Sequence, residues 1–441
     1  MKLQPGRCVI LSRLMKYLPL AFSICAVAMA AGLTDTEQKI VQSIDAGLAD
    51  SNVLLERLVN INSGTLNPAG VRQVADVLRP EFEKLGFTVR WIPMDEVHRA
   101  GHLVAERHGT HGKRVLLIGH MDTVFEPSSP FQKYQAQSEI SAVGPGSSDM
   151  KGGLMVILYS LKALQAAGAL EGSSITVFLT GDEEKPGDPL SISRRDLVEA
   201  AKVHDVALEF ESGVLSGGRE YATIARRSSS SWTLRATGNT GHSSGVFGAG
   251  IGSGAIYEMA RILSAFHDQL REPDLTYNVS VALGGSTLDY NQAENSGSAA
   301  GKTNIIPDKA VASGDIRAIS TEQQERTREK MRTIVAAHLP GTGAEISFQD
   351  GYPAMPATPG NERLLATLNQ ANRDLNLENL EALPAGRRGA GDVSFVAPYL
   401  DALSGLGSLG RNAHIAGESI DLARQPIQTK RTSVLIFRLT R

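Results

Sequence analysis

Three short apolar runs in the first half of this chain each end on paired ionisable side chains. Arg114-Val115-Leu116-Leu117-Ile118-Gly119 leads into His120-Met121-Asp122, and Ser174-Ile175-Thr176-Val177-Phe178-Leu179-Thr180 into Asp182-Glu183-Glu184. Asp205-Val206-Ala207-Leu208 leads into Glu209-Phe210-Glu211. Runs of Val, Ile, Leu and Phe that alternate with helical patterns predict buried strands of a parallel sheet in an α/β fold. Ligands gather at the carboxyl ends of such strands, so imidazole and carboxylate delivered there predict a site. A fourth stretch, Ser148-Asp149-Met150-Lys151, lies in a Gly-Pro-Gly turn that opens a helix over Gly153–Ala167.

Apolar spacing at Ile40, Ile44, Leu48, Leu54, Leu55 and Leu58 predicts a helix from Thr34 to about Val59. A second runs from Ala69 to Leu85 and stops at Gly86. Strands are expected around Phe87–Ile92 and His102–Glu106, and a helix near Arg195–Lys202. After Gly217 the character changes to a strand within Tyr221–Thr237, a helix at Ala255–Leu270, and strands at Asn278–Leu283 and Lys309–Ala318. A helix at Glu322–Ala337 and a strand at Ala344–Phe348 follow. This order predicts a small α+β unit over 221–350, inserted between two parts of a catalytic domain, 31–220 and 351–441. The α/β pattern resumes with a helix at Asn361–Leu375, and Ser433–Leu439 reads as a last strand.

A chain of 441 residues suits two domains, and a net charge of −3 leaves no electrostatic footprint for nucleic acid. Lys2, Arg7, Arg13 and Lys16 precede an apolar stretch, Leu18–Ala30, that ends in Ala28-Met29-Ala30. This is the layout of a secretory signal over residues 1–30, too short for a membrane span, with Met15 a second possible start. The expectation is an exported protein, periplasmic or secreted, with no membrane attachment after cleavage. Cleavage removes four basic residues and no acid, taking the charge from −3 to −7, and removes both cysteines, Cys8 and Cys25. Any metal must then be held by His, Asp and Glu.

Taken singly, the motifs are ordinary. His120 can bind a metal while Asp122 fixes its imidazole, yet His-x-Asp is a short pattern. Asp149 is either a helix cap or a carboxylate bridging two ions. Glu183 and Glu184 at the exit of a buried strand repel each other unless cations compensate. A metal that takes one leaves the other free as a general base. Glu209 and Glu211 pose the same choice, and His414 alone reads as a loop histidine.

In combination the chain resembles the dizinc aminoacylase and glutamate carboxypeptidase family of metallopeptidases. The order His-x-Asp, Gly-Pro-Gly-x-x-Asp-x-Lys-Gly-Gly, Asp-Glu-Glu, Phe-Glu and a late His carries the resemblance across nearly all of the mature chain. It implies a phosphorylase/hydrolase-like α/β zinc exopeptidase domain with an inserted ferredoxin-like lid or dimerisation domain. It further implies two zinc ions, with cobalt or manganese as alternatives. His120 and Glu211 would hold one and Glu184 and His414 the other, with Asp149 bridging, Glu183 as general base and Asp122 supporting His120. Glu209 would be a spectator. In the insert, His242 would stabilise the oxyanion, often across a homodimer, and Asn304 and Arg317 would grip the substrate's free carboxylate. The implied substrate is a small peptide or N-acyl amino acid, with glutamate-type release leading and another N-acyl specificity as the alternative. Folate-cleaving members carry an additional arginine where this chain has Tyr352; Arg387 and Arg388 are the candidate replacements. Two readings compete. Gly241-His242-Ser243-Ser244-Gly245 matches the nucleophile elbow of serine hydrolases, but a turn precedes it and a glycine-rich loop follows. A non-catalytic peptide-binding relative is disfavoured because every expected ligand and the base are present.

Overall fold

In the computed structural model, residues 32–441 are described, so the predicted signal segment and both cysteines lie outside the described residues. The main sheet has six strands in the order Thr88–Met94, Arg99–Arg107, Ser173–Thr180, His111–His120, Val206–Glu209 and Asp401–Leu403. The four strands from Ser173–Thr180 onward are mutually parallel. Arg99–Arg107 runs antiparallel to both of its neighbours, Thr88–Met94 and Ser173–Thr180, which corrects the expectation of a parallel sheet at that edge. A short connection between neighbouring strands permits only antiparallel pairing, whereas parallel neighbours need a long crossover.

Val115, Leu116, Leu117 and Ile118 are fully buried because helices cover both faces of their strand. One face packs against Asp35–Val59, Pro68–Lys84, Gly152–Ala166 and Gln425–Leu439. The other carries Leu116, Ile118, Phe178 and Ala207 against Leu197, Val393 and Val396. Burying each Leu or Ile side chain here contributes about 1.5–3 kcal/mol. The first helix starts at a capping box, with Thr34 and Glu37 satisfying each other's backbone N–H.

Ser433–Leu439 is not a strand but the last part of the helix Gln425–Leu439. A short run of Val, Leu, Ile and Phe fits a buried strand and a buried helix equally well. The deciding signal was Pro426 in the first helical turn. Leu435 and Ile436 are buried in the core beside Gly152–Ala166, while Gln425 Nε2 donates to the Gly152 carbonyl at 2.7 Å.

At the opposite end of the sheet, Arg114 ties two strands together. Its Nη2 lies 2.7 Å from Asp205 Oδ1, and its Nε and backbone N–H both reach Oδ2. The hydrogen bond from Arg114 pulls the Asp205 carboxyl down to about 2. A depressed folded pKa contributes stability that is present above the unfolded value near 4 and is lost as pH falls through about 2. Asp205→Asn is therefore expected to lower the melting temperature at neutral pH, with the difference from the parent closing as the pH falls from 4 to 2.

The insert builds its own antiparallel sheet in the order Thr342–Asp350, Ser230–Gly238, Lys309–Arg317, with Thr276–Tyr277 and Val281–Gly285 sharing the last edge. The strand expected over 278–283 is thus two short pieces. Helices Ala255–Gln269 and Thr321–Ala336 bury Phe266 and Met331 against Trp232, Leu234, Ala312 and Ile316. This is the ferredoxin-like arrangement. The chain enters and leaves the insert through adjacent segments, laced by Arg226 N–H to the Met355 carbonyl at 2.8 Å, the reciprocal bond at 2.9 Å, and Ser229 N–H to the Tyr352 carbonyl at 2.8 Å.

Candidate metal centre

His120 closes its strand, Glu183 and Glu184 follow Ser173–Thr180, and Glu211 follows Val206–Glu209. The parallel sheet therefore delivers all four to one end. Asp149 arrives from the turn before Gly152–Ala166, and that helix must come close to the sheet. A Cβ on Gly153 would lie 2.1 Å from the Phe210 carbonyl oxygen, so only glycine allows the approach.

The two oxygens of Asp149 face different partners. Oδ1 lies 3.3 Å from His120 Nε2, and Oδ2 lies 3.0 Å from His414 Nε2. Glu211 Oε1 is also 3.3 Å from His120 Nε2, and Glu184 Oε2 is 3.2 Å from His414 Nε2. Two histidine–carboxylate pairs thus share one aspartate. Ligand atoms of His120, Asp149 and Glu184 fall within 4.8 Å of one another, and so do those of His120, Glu183 and Glu211.

This crowding shifts the acids. Burial and the neighbouring Glu211 push the Glu183 carboxyl well above its usual range. Burial raises Glu184 to about 7, and hydrogen bonds to Asp149 and Glu184 hold the His414 imidazolium to about 11. For Asp149, burial acts upward but hydrogen bonds from His120 and His414 win and pull it down. The buried Glu184 Oε1 has no hydrogen-bond partner, which normally costs stability. An orphaned carboxylate oxygen in a His/Asp/Glu cluster fits a divalent cation, and zinc suits these donors.

Asp122 holds the arrangement from behind. Its Oδ1 accepts from Glu183 N–H at 3.0 Å, and its Oδ2 from Glu184 N–H at 3.1 Å and Thr65 Oγ1 at 2.6 Å. His120 Nδ1 lies 3.1 Å from the Asp122 carbonyl oxygen and 3.4 Å from its Oδ1. Glu209 is occupied elsewhere: Arg226 Nη1 reaches it at 2.5 Å, Val393 N–H at 2.8 Å, and Ser404 Oγ donates to it as well.

Glu418 went unrecognised in the sequence. Its Oε1 accepts from the N–H groups of Ser148 and Asp149, both at 2.8 Å, and its Oε2 from Gly146 N–H at 3.0 Å. Only its place four residues after His414 hinted at this. Glu418→Ala would free the turn that aims Asp149. Partners of metal ligands are worth about 10–100-fold in affinity or activity, so zinc affinity in a competition titration is expected to fall by that order.

The insert residues have partners of their own. Gly241–His242 pairs with Ile305–Ile306, which places His242 and Asn304 side by side. Arg317 Nε donates to Asp315 Oδ2 at 2.9 Å. Among the described residues, none of the three makes a hydrogen bond or ion pair with the six cluster residues. Ser243 opens a three-residue turn rather than a helix, and the His242 ring bonds Ser244 Oγ at 2.8 Å instead, so no nucleophile elbow forms. Arg388 does reach the cluster edge, 3.3 Å from Glu211 Oε2. Arg387 bonds Ser216 on the surface, and Tyr352 carries no guanidinium charge to replace the arginine.

The Peptidase family M20/M25/M40 profile matches residues 116–435. Carboxypeptidase G2 of Pseudomonas sp. (strain RS-16) is 28% identical over 404 residues, covering 87% of this chain and 88% of that protein. Succinyl-diaminopimelate desuccinylase of Thioalkalivibrio sulfidiphilus is 24% identical, covering 85% and 94%. The crystal structure of aminopeptidase PepT from Bacillus cereus superposes with a TM-score of 0.70 at 17% identity, covering 89% of this chain and 99% of that one. A family profile spanning most of the described chain, the same fold, and acids gathered around two histidines agree: this chain belongs to peptidase family M20/M25/M40, the metal-dependent hydrolases of peptide and amide bonds.

Proposed function

We propose that this chain hydrolyses a peptide or N-acyl amide bond next to a free carboxylate and releases the C-terminal amino acid. The observation that carries this reading is Asp149, whose two oxygens face two separate histidine–carboxylate pairs. His120 and Glu211 would hold one zinc ion, Glu184 and His414 the other, and Asp149 both. When bound, such ions supply Lewis acidity toward the amide carbonyl and lower the pKa of water. Glu183 takes a proton from the attacking water and passes it to the leaving amine. Asp122 fixes the backbone of both glutamates, so the base cannot drift from the reacting carbonyl. His242 would steady the oxyanion, and Asn304 and Arg317 the substrate carboxylate.

Acidic, glutamate-type substrates are favoured by Arg388 at the cluster edge and by the similarity to carboxypeptidase G2. The similarity to desuccinylases supports the alternative, an N-acyl-amino-acid amidohydrolase. A panel of N-acyl amino acids and dipeptides, assayed metal-free and after zinc is restored, separates these. Zinc-dependent release of the C-terminal residue is expected, strongest for glutamate. Activity that survives metal removal would overturn the reading.

A further inference from the structure

The Glu183 backbone is held from two sides. Asp122 takes its N–H, and on the carbonyl side the Tyr352 hydroxyl donates to Glu183 O at 2.8 Å. The same hydroxyl accepts from Arg194 Nη2 at 2.7 Å, so both its hydrogen-bonding roles are filled. Arg194 is itself fixed, with Nη1 2.6 Å from Asp182 Oδ1 and Nε 2.7 Å from Asp392 Oδ1. Asp392 accepts in turn from Thr180 Oγ1 at 2.6 Å. The Tyr352 ring packs edge-on against Phe395, centroids 4.9 Å apart. Arg194, Asp182 and Asp392 are buried, and both hydrogen-bonding roles of the hydroxyl they position are filled.

Tyr352 does not belong to the strand that ends on Glu183. It sits just after Thr342–Asp350, where the chain leaves the insert, and its own carbonyl accepts from Ser229 N–H on the entering segment. The connection between insert and catalytic part thus touches the loop of the twin glutamates directly.

Resting on the assignment of Glu183 as the base, we propose that Tyr352 is a positioning residue for catalysis. Its hydroxyl anchors the Glu183 carbonyl and so fixes the direction of the Glu183 carboxylate, tying the base to the strap that carries the insert. Of the six cluster residues the Tyr352 hydroxyl hydrogen-bonds Glu183, at its backbone carbonyl, so its effect is on orientation and not on metal affinity. Misplacing a reacting group by about 1 Å costs up to about 100-fold in rate.

Tyr352→Phe removes only the hydroxyl. The ring keeps its contact with Phe395, and Arg194 keeps Asp182 and Asp392, so the variant is expected to fold. The expected result is a fall in kcat of between about tenfold and 100-fold, with KM and zinc equivalents close to the parent's. Hydrogen exchange at the Glu184 amide, whose peptide carbonyl loses its partner, should speed up relative to the neighbouring strand. An unchanged kcat with only a lower melting temperature would overturn the proposal, as would unchanged exchange at Glu184. A loss of bound zinc would overturn it too, by showing that the hydroxyl supports the ligands. If the parent itself shows no zinc-dependent hydrolysis, the reading of the site fails instead, and the two failures are distinguishable.

Discussion

Asp149→Ala is expected to leave the chain unable to retain either zinc ion. Among the described residues, Asp149 is the carboxylate that forms an ion pair with each of these histidines, at 3.3 Å from His120 and 3.0 Å from His414. Without it each half keeps one histidine and one glutamate, too few for a stable site. Even partners of ligands are worth about 10–100-fold in affinity, so loss of a shared ligand should exceed about 100-fold for both ions. Activity should drop to that of the metal-free parent. The metal-free variant should nevertheless stay folded. Asp149 repels the carboxylates of both Glu184 and Glu211, and its removal relieves this while costing the contacts to His120 and His414. Metal content after dialysis, beside the melting temperature, checks both statements. Retention of one tightly bound ion would show that Asp149 serves only one side.

Glu183→Gln is expected to show the opposite split. General-base catalysis contributes about 10²–10⁴-fold, so kcat should fall by that order while both zinc ions stay bound. The separation is informative because the geometry alone leaves Glu183 two options. A carboxylate oxygen of Glu183 lies within 4.8 Å of ligand atoms of His120 and Glu211, yet of the twin glutamates it is Glu184 that pairs with His414. If Glu183 were a ligand, the variant would lose an ion along with its rate. Burial and the Glu211 charge hold the Glu183 proton in the metal-free chain, and compensating cations would bring the carboxyl back toward a range where it can accept one. The amide in glutamine keeps the shape and removes the basicity, so metal content and kcat together decide.

How far the sequence reveals such a molecule depends on the distance over which the interaction acts. The ends of the apolar runs were legible because a parallel sheet aligns its strand ends, and His120, Glu183, Glu184 and Glu211 duly meet. The ferredoxin-like insert was legible from its order of strands and helices. Ser433–Leu439 was not, since a short β-branched run carries no period to separate strand from helix. Glu418 stayed hidden because its partners, Gly146, Ser148 and Asp149, lie about 270 residues earlier. Likewise no local pattern links Arg194 to Asp392 or Tyr352 to Glu183; only the folded chain brings them together. For Tyr352 the sequence disclosed a departure from relatives, but not the hydroxyl contact to Glu183 that gives the residue its proposed role. His242, Asn304 and Arg317 were legible as motifs, while their path to the cluster was not.

The most direct measurement is a count of zinc equivalents. Zinc would be titrated into metal-free parent chain and into His414→Ala, with binding followed calorimetrically. Two equivalents per parent chain and one for His414→Ala are expected, because only Glu184 and Asp149 would remain on the side that His414 serves. A single equivalent in the parent, or two undiminished equivalents in His414→Ala, would contradict the two-ion site bridged by Asp149.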